Sequence, residues 1–206
     1  MRRYTPYFVA TLSLVMIFTA LIPTRGQAAI VDTATSLQEL VIGQKNAPVT
    51  IIEYASLGCP HCANFHKNTY PLLKKNYIDT GKVKMIYRDF PLGTSALAAA
   101  MIARCSGPKR RSGMIELFYR SQADWGRAEN PLQALIKVAR FGGLNEQDVK
   151  ACIGNQKLIK GVRDRAAEAT DKFGIDSTPS FIVNGTVIRG NIAYDDLKSI
   201  LDEILN

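Results

Sequence analysis

Histidine is scarce in this chain: two residues, His61 and His66, in 206. Cysteine is limited to Cys59, Cys62, Cys105 and Cys152, and neither a second close pair nor a distant histidine follows the first pair. A structural zinc site wants four ligands at finger spacing, so Cys59, Cys62 and His66 fall one short and no resident metal is expected. Covalent haem attachment needs a histidine directly after the second cysteine, where Ala63 stands, and no cofactor is expected. Internal repeats and low-complexity tracts are also missing, which excludes solenoid and disordered architectures. The densest basic run, Lys109 to Arg111, follows Gly107 and Pro108, carries no interleaved aromatics and reads as a solvated loop tip, so no nucleic-acid partner is expected. Length excludes little else: 206 residues suit one domain with a real core, with room for an insert.

What is present begins with an export signal over residues 1–28. Arg2 and Arg3 lead, an apolar stretch runs from about Tyr7 to Ile22, Pro23 breaks it, and Gly26 and Ala28 offer small residues for cleavage, expected after Ala28. The competing reading is a retained membrane anchor, but the run is shorter than a spanning helix wants and ends at a proline. Cleavage would remove Arg2, Arg3 and Arg25 and no acid, lowering the formal charge from +8 to +5. In an exported chain, four cysteines are read against an oxidising compartment in which disulfides persist.

The mature chain, residues 29–206, reads as an α/β frame interrupted by helices. A short helix is expected at Ser36 to Val41, where Ser36 and Glu39 have capping-box spacing. The run Val49 to Ser56 is apolar and β-branched without alternation, as suits a central strand buried on both faces. A helix from Cys59 to about Tyr77 and a strand over residues 82–90 complete a βαβ unit, with the two cysteines at the handover from strand to helix. From Thr94 to Phe173 the pattern is five helices with clear punctuation, a block of about eighty residues inserted in the frame. The frame resumes with Ser180 to Val183 and Thr186 to Arg189 flanking Asn184 and Gly185, a two-residue hairpin signal. A final helix carries Tyr194, Leu197, Ile200, Leu201 and Ile204 on one stripe.

Two cysteines at i and i+3 on a first helical turn can close a small-ring disulfide with little backbone movement. Cys59, at the helix N-terminus, faces unpaired N–H groups and the positive dipole end, which favour thiolate over thiol. A stabilised thiolate leaves easily, so the oxidised pair passes its disulfide to other thiols. His61 pushes the same way if its ring lies near Cys59, Pro60 presets the helical start, and Cys62, one turn in, is the shielded partner. Glu53 stands in the middle of the apolar central strand, a costly place for a carboxylate without a task or a partner. It either relays protons to and from Cys62 or pairs with Lys84 or Arg88 on the adjacent strand. His66 reads as an exposed helix residue. Cys105 and Cys152, 47 positions apart on the first and fourth helices of the block, are expected to bridge, with two buried free thiols as the alternative. Pro179 follows Thr178, and a trans peptide bond is the ordinary expectation for such a pair.

The segments EYASLGCPHC, KVKMIYRDFPL, AAMIARC and FGIDSTPSFIVNG, with the helical block between them, resemble the DsbA-like thiol:disulfide oxidoreductases of the thioredoxin superfamily over almost all of residues 47–205. The resemblance implies a thioredoxin fold with a helical insert at about 94–173, Cys59 as the exchanging thiol, Cys62 as the resolving thiol, Glu53 as the buried acid and Pro179 in cis. It also implies a bacterial periplasm, folding cysteine-containing exported proteins as substrates, and a membrane quinone-linked, DsbB-like thiol oxidase as partner. Thr178 stands where valine often precedes the cis proline of the oxidases, so an isomerase or reductase is the alternative within this chemistry. Isomerases of the superfamily usually carry a dimerisation module, and fewer than twenty residues separate the expected cleavage site from the frame, so a monomer is expected. A metal carrier or a chaperone is the alternative from a different class; a chaperone would keep its function in Cys59→Ser.

Overall fold

The fold is a five-stranded mixed sheet in the order β1-β3-β2-β4-β5, built from β1 (Leu40–Ile42), β2 (Val49–Ala55), β3 (Val83–Asp89), β4 (Ser180–Val183) and β5 (Thr186–Arg189). It is seen in a computed structural model that describes Met1 and residues 30–206, so the export signal and cleavage site expected from the sequence, Met1 apart, lie outside the described residues. β2 is the central strand, parallel to β3 and antiparallel to β4, with Glu53 opposite Tyr87 on one side and Phe181 on the other. The apolar, non-alternating character of β2, broken chiefly by Glu53, is explained by this position, because a strand with neighbours on both edges and layers on both faces has no wet side.

The helix expected from Cys59 to Tyr77 is divided. α2 (Pro60–Asn68) and α3 (Tyr70–Leu73) meet at Thr69, with Pro71 unable to donate a backbone hydrogen bond across the junction, and a π-helical turn follows over Lys74–Ile78. The inner face of this segment, Phe65, Tyr70, Leu73 and Tyr77, packs with Ile51, Met85 and Phe181 of the sheet and with Leu197 and Leu201 of the last helix. Complete burial of one such apolar side chain contributes about 1.5–3 kcal/mol.

Before the sheet, α1 occupies Thr33–Ser36, capped by Asp32, whose carboxylate accepts from Thr35 N at 2.9 Å. This corrects the helix expected at Ser36 to Val41: Asp32 is the stronger cap, Leu40 to Ile42 pair with β3 instead, and Glu39 faces Arg88 and Arg165 rather than closing a box.

The insert contains α4 (Thr94–Cys105), α5 (Pro108–Arg120), α6 (Gln122–Gly126), α7 (Pro131–Phe141), α8 (Glu146–Ile153) and α9 (Gln156–Phe173). Six helices replace the expected five because the second one breaks at Ser121, letting Trp125 turn inward with its indole N–H donated to Phe118 O at 2.8 Å. Asn145 starts α8 with a full reciprocal capping box to Asp148. Cys105 and Cys152 are bridged between α4 and α8, in a cluster with Met101, Leu158 and Val162.

Lys109 to Arg111 do not form a loop tip. They lie in the first turn of α5, and Arg111 is buried, donating to Asp89 Oδ2 at 3.1 Å and to Gln38 O at 2.9 Å. Arg104 shares the same carboxylate at 2.5 Å, so Asp89 at the end of β3 anchors α4 and α5 of the insert to the sheet. Sequence reasoning missed this because the acid that draws Arg111 inward is supplied from twenty-two positions away.

The chain returns at β4 and β5, joined by Asn184 (φ 44°) and Gly185 (φ 95°), both in the left-handed region that a two-residue hairpin of this twist demands. α10 (Tyr194–Leu205) packs beside α2 and α3 on the sheet face that carries Ile51, Met85 and Phe181, and Ala169 of α9 packs on the other face with Tyr54 and Ile182.

Candidate active site

Cys59 caps the N-terminus of α2 in an extended conformation (φ −86°, ψ 122°), and Pro60 opens the first turn. The proline fixes φ near its helical value and removes a donor that would be unpaired there. The loop that delivers Cys59 is pinned from two directions. Ser56 Oγ accepts from Gly58 N and Leu92 N, and Gln122, on the insert, donates to Leu57 O at 2.7 Å and Cys59 O at 3.0 Å.

Facing Cys59 is the Thr178–Pro179 bond, which is cis. Cys59 Sγ lies 3.2 Å from Thr178 O, so a segment 119 residues away touches the sulfur through its main chain. The ordinary trans expectation for this bond therefore fails, and the geometry implied by the family resemblance is the one observed. Thr178 and Pro179 are buried.

The two sulfurs have opposite environments. The side chain of Cys62, donating to the Cys59 sulfur, is the largest influence on Cys59; with the side chain of Thr178 and the N–H groups of Cys62 and His61 it outweighs burial and brings the Cys59 pKa down to about 5. Cys62 is fully buried, and burial, its hydrogen bond to Cys59 and the charge of Glu53 push its thiol far up. At neutral pH the reduced pair is one thiolate and one thiol. His61 is exposed on the first turn, contributing its backbone N–H.

Glu53 is completely buried and pairs with neither Lys84 nor Arg88. Lys84 reaches Lys45 O, Arg88 reaches Tyr54 and Glu39, and Glu53 Oε2 lies 3.1 Å from His66 Nε2. This overturns the reading of His66 as an exposed helix residue. Its side chain is 3% exposed, stacks on Tyr119 at 4.3 Å, and makes a second contact at 2.9 Å from Nδ1 to Glu116 Oε1 on α5. Burial works against a charge on the ring, but Glu53 and Glu116 outweigh it and raise its pKa to about 9. His66 lies one helical turn beyond Cys62, on the same face, so a buried acid on the preceding strand and the i+4 position together could have pointed to it. Glu116 gave no local signal.

With the pair at a strand-to-helix handover, a cis proline against the outer sulfur and a titratable group behind the inner one, the site can accept a thiolate at Cys59 and hold a leaving group at Cys62. Among the described residues no cluster of three or more His, Cys, Asp or Glu side chains has metal-binding geometry.

A family profile described as Thioredoxin matches residues 35–203. A candidate protein-disulfide oxidoreductase of Rickettsia conorii is 33% identical over 171 residues, covering 81% of this chain and 60% of that protein. The chain thus spans about three fifths of the length of the Rickettsia relatives it matches. Disulfide bond formation protein D of Bacillus subtilis is 24% identical over 170 residues, covering 80% of this chain and 76% of that one. The crystal structure of α-DsbA1 from Wolbachia pipientis superposes with a TM-score of 0.76 at 29% identity, covering 82% of this chain and 91% of that one. Profile, relatives and fold agree with the cysteine pair and the inserted helices, and the chain belongs to the DsbA-like group of the thioredoxin superfamily.

Proposed function

We propose that the protein is a thiol:disulfide oxidoreductase that donates the Cys59–Cys62 disulfide to cysteine-containing exported proteins as they fold. The observation that carries this reading is the divergence of the two sulfurs: Cys59 is held as a thiolate with a pKa of about 5 while Cys62 is kept a thiol. A low thiolate pKa stabilises the reduced pair and makes Cys59 the better leaving group, which favours giving a disulfide away over keeping it.

A substrate thiolate attacks Cys59 Sγ; the bond to Cys62 breaks, its electron pair goes to Cys62 Sγ, and that sulfur takes a proton. A second substrate thiolate then attacks the substrate's own sulfur in the mixed disulfide, and Cys59 departs as thiolate. Two substrate thiols become one disulfide, one proton goes to Cys62 and one to solvent. Thr178 and Pro179 present main chain beside Cys59, where an extended substrate can lie; Glu53 serves Cys62 as its proton partner, and His61 and Pro60 shape the rim.

In this reading residues 29–206 form the working domain, with the insert at 94–173, and residues 1–28 direct export to the periplasm. The reduced enzyme is reoxidised by a membrane quinone-linked thiol oxidase of the DsbB kind, and the enzyme acts as a monomer. The test is the equilibrium constant of the Cys59–Cys62 pair against glutathione, using the protein without residues 1–28. A strongly oxidising value supports donation; a value as reducing as thioredoxin's replaces it with reduction or isomerisation.

A further inference from the structure

Charge balance does not account for the surroundings of His66. One imidazolium compensates one buried carboxylate, yet a second carboxylate, Glu116, holds the other ring nitrogen and leaves the group with a net negative charge. Glu53 Oε1 is buried and has no hydrogen-bond partner among the described residues, so one face of that carboxylate is uncommitted. Glu116 is a quarter exposed and, with His66, lines a cleft of about 520 Å³ between α2 and α5.

We propose that His66, held between Glu53 and Glu116, is a positioning residue that stores the proton Cys62 takes up and gives back through Glu53. This rests on the disulfide-exchange reading above. When a thiolate opens the Cys59–Cys62 bond, the His66 Nε2 proton passes through Glu53 to the Cys62 sulfur, and the ring is left neutral with its Nδ1–H donated to Glu116. On reoxidation Cys62 returns the proton by the same atoms before its sulfur attacks the mixed disulfide at Cys59. No charge is left on the buried sulfur at either stage, and no external acid is needed in the step. Glu116 fixes the tautomer, as a carboxylate behind an imidazole does, and raises the basicity of the ring.

The groups facing the ring from the packed elements are Glu53 on β2, Tyr70 on α3, Tyr87 on β3, and Glu116 and Tyr119 on α5. Burial raises all three tyrosines, so none of them competes with His66 for a proton between pH 6 and 9.

The experiment is stopped-flow oxidation of the reduced protein by oxidised glutathione, as a function of pH. Attack by Cys59 on glutathione is bimolecular; closure by Cys62 on the mixed disulfide is unimolecular and requires Cys62 to hand its proton to a neutral His66. In the wild type the closure rate should therefore climb with pH toward about 9. Glu116→Gln removes one support of the ring's basicity, so the climb should move to lower pH and closure at neutral pH should become faster, which loss of a structural contact does not do. His66→Gln should slow closure on the order of 10²-fold and flatten its pH dependence. An unshifted profile in Glu116→Gln, or wild-type closure in a folded His66→Gln, overturns the proposal. If His66→Gln does not fold, the partly exposed Glu116 decides alone. A wild-type protein whose Cys59 does not react with glutathione overturns the exchange reading itself, which is a different result.

Discussion

The side-chain amide of Gln122 donates to the main-chain carbonyl of Cys59 at 3.0 Å, joining the inserted helices to the loop that presents the outer sulfur. The same amide holds Leu57 O, and Leu57 is buried. Gln122→Ala strands two carbonyls at once. It should lower stability by about 1–2 kcal/mol in urea unfolding while leaving the Cys59 titration in place, because Gln122 touches oxygen and not sulfur. A shifted titration would mean that the amide acts on the thiolate.

The Cys59 thiolate should be visible as ultraviolet absorbance near 240 nm, titrating with a midpoint of about 5 in the reduced protein. Its unfolded-state value is near 9, so the pKa is depressed: the stability it adds is fully present above pH 9, shrinks below it and is gone once pH falls through about 5. At pH 7 the interval down to 5 counts, about 3 kcal/mol in favour of the reduced pair or ~60 mV on a two-electron couple. Cys62→Ala removes the largest cause and should raise the midpoint; a midpoint that stays put would assign the shift to the helix terminus instead.

His66 carries the opposite sign. Its folded pKa is raised from 6.5 to about 9, so its contribution is whole below pH 6.5 and is lost as pH rises through 9. The stability contributed by the reduced Cys59 thiolate also changes across this window, so the measurement belongs on the oxidised protein, where the pair does not titrate. Unfolding free energy should fall between pH 6.5 and 9 in the wild type and lose that slope in Glu53→Gln. Removing the ring while keeping Glu53, as in His66→Leu, should cost about 3–5 kcal/mol by stranding a buried carboxylate.

The Cys105–Cys152 bridge closes a separation of 47 residues, which a chain-entropy account values at no more than about 4 kcal/mol. Replacing both cysteines by alanine should lower the unfolding midpoint by up to that amount. The Cys59 titration should not move, because the bridge sits in a cluster of Leu97, Met101, Leu158 and Val162, apart from the one that holds Cys59 and Cys62.

The frame was legible because its signals are local. The non-alternating, β-branched run of β2, Pro60 after Cys59, Asn145 before α8 and Asn184-Gly185 each announce their own conformation. The outer half of the site was legible for the same reason, since a helix start and a cysteine pair at i and i+3 imply each other's geometry. What stayed hidden is what tertiary contact decides. His66 turns inward because Glu53 waits on the strand before it and Glu116 on a helix fifty positions later, and Arg111 does so because Asp89 ends β3. Polar residues on a helix are read as solvated until a distant partner of opposite charge is placed, and a single sequence does not place it.

Glu116 and Gln122 lie six residues apart, on α5 and α6, one gripping the ring behind Cys62 and the other the loop before Cys59. The helical block is therefore not a detachable accessory to a self-sufficient redox frame. A graft that moved Cys59-Pro60-His61-Cys62 onto a bare thioredoxin scaffold would carry the sulfurs and leave behind both of these supports, so the unit of inheritance, and of engineering, is the frame and the insert together.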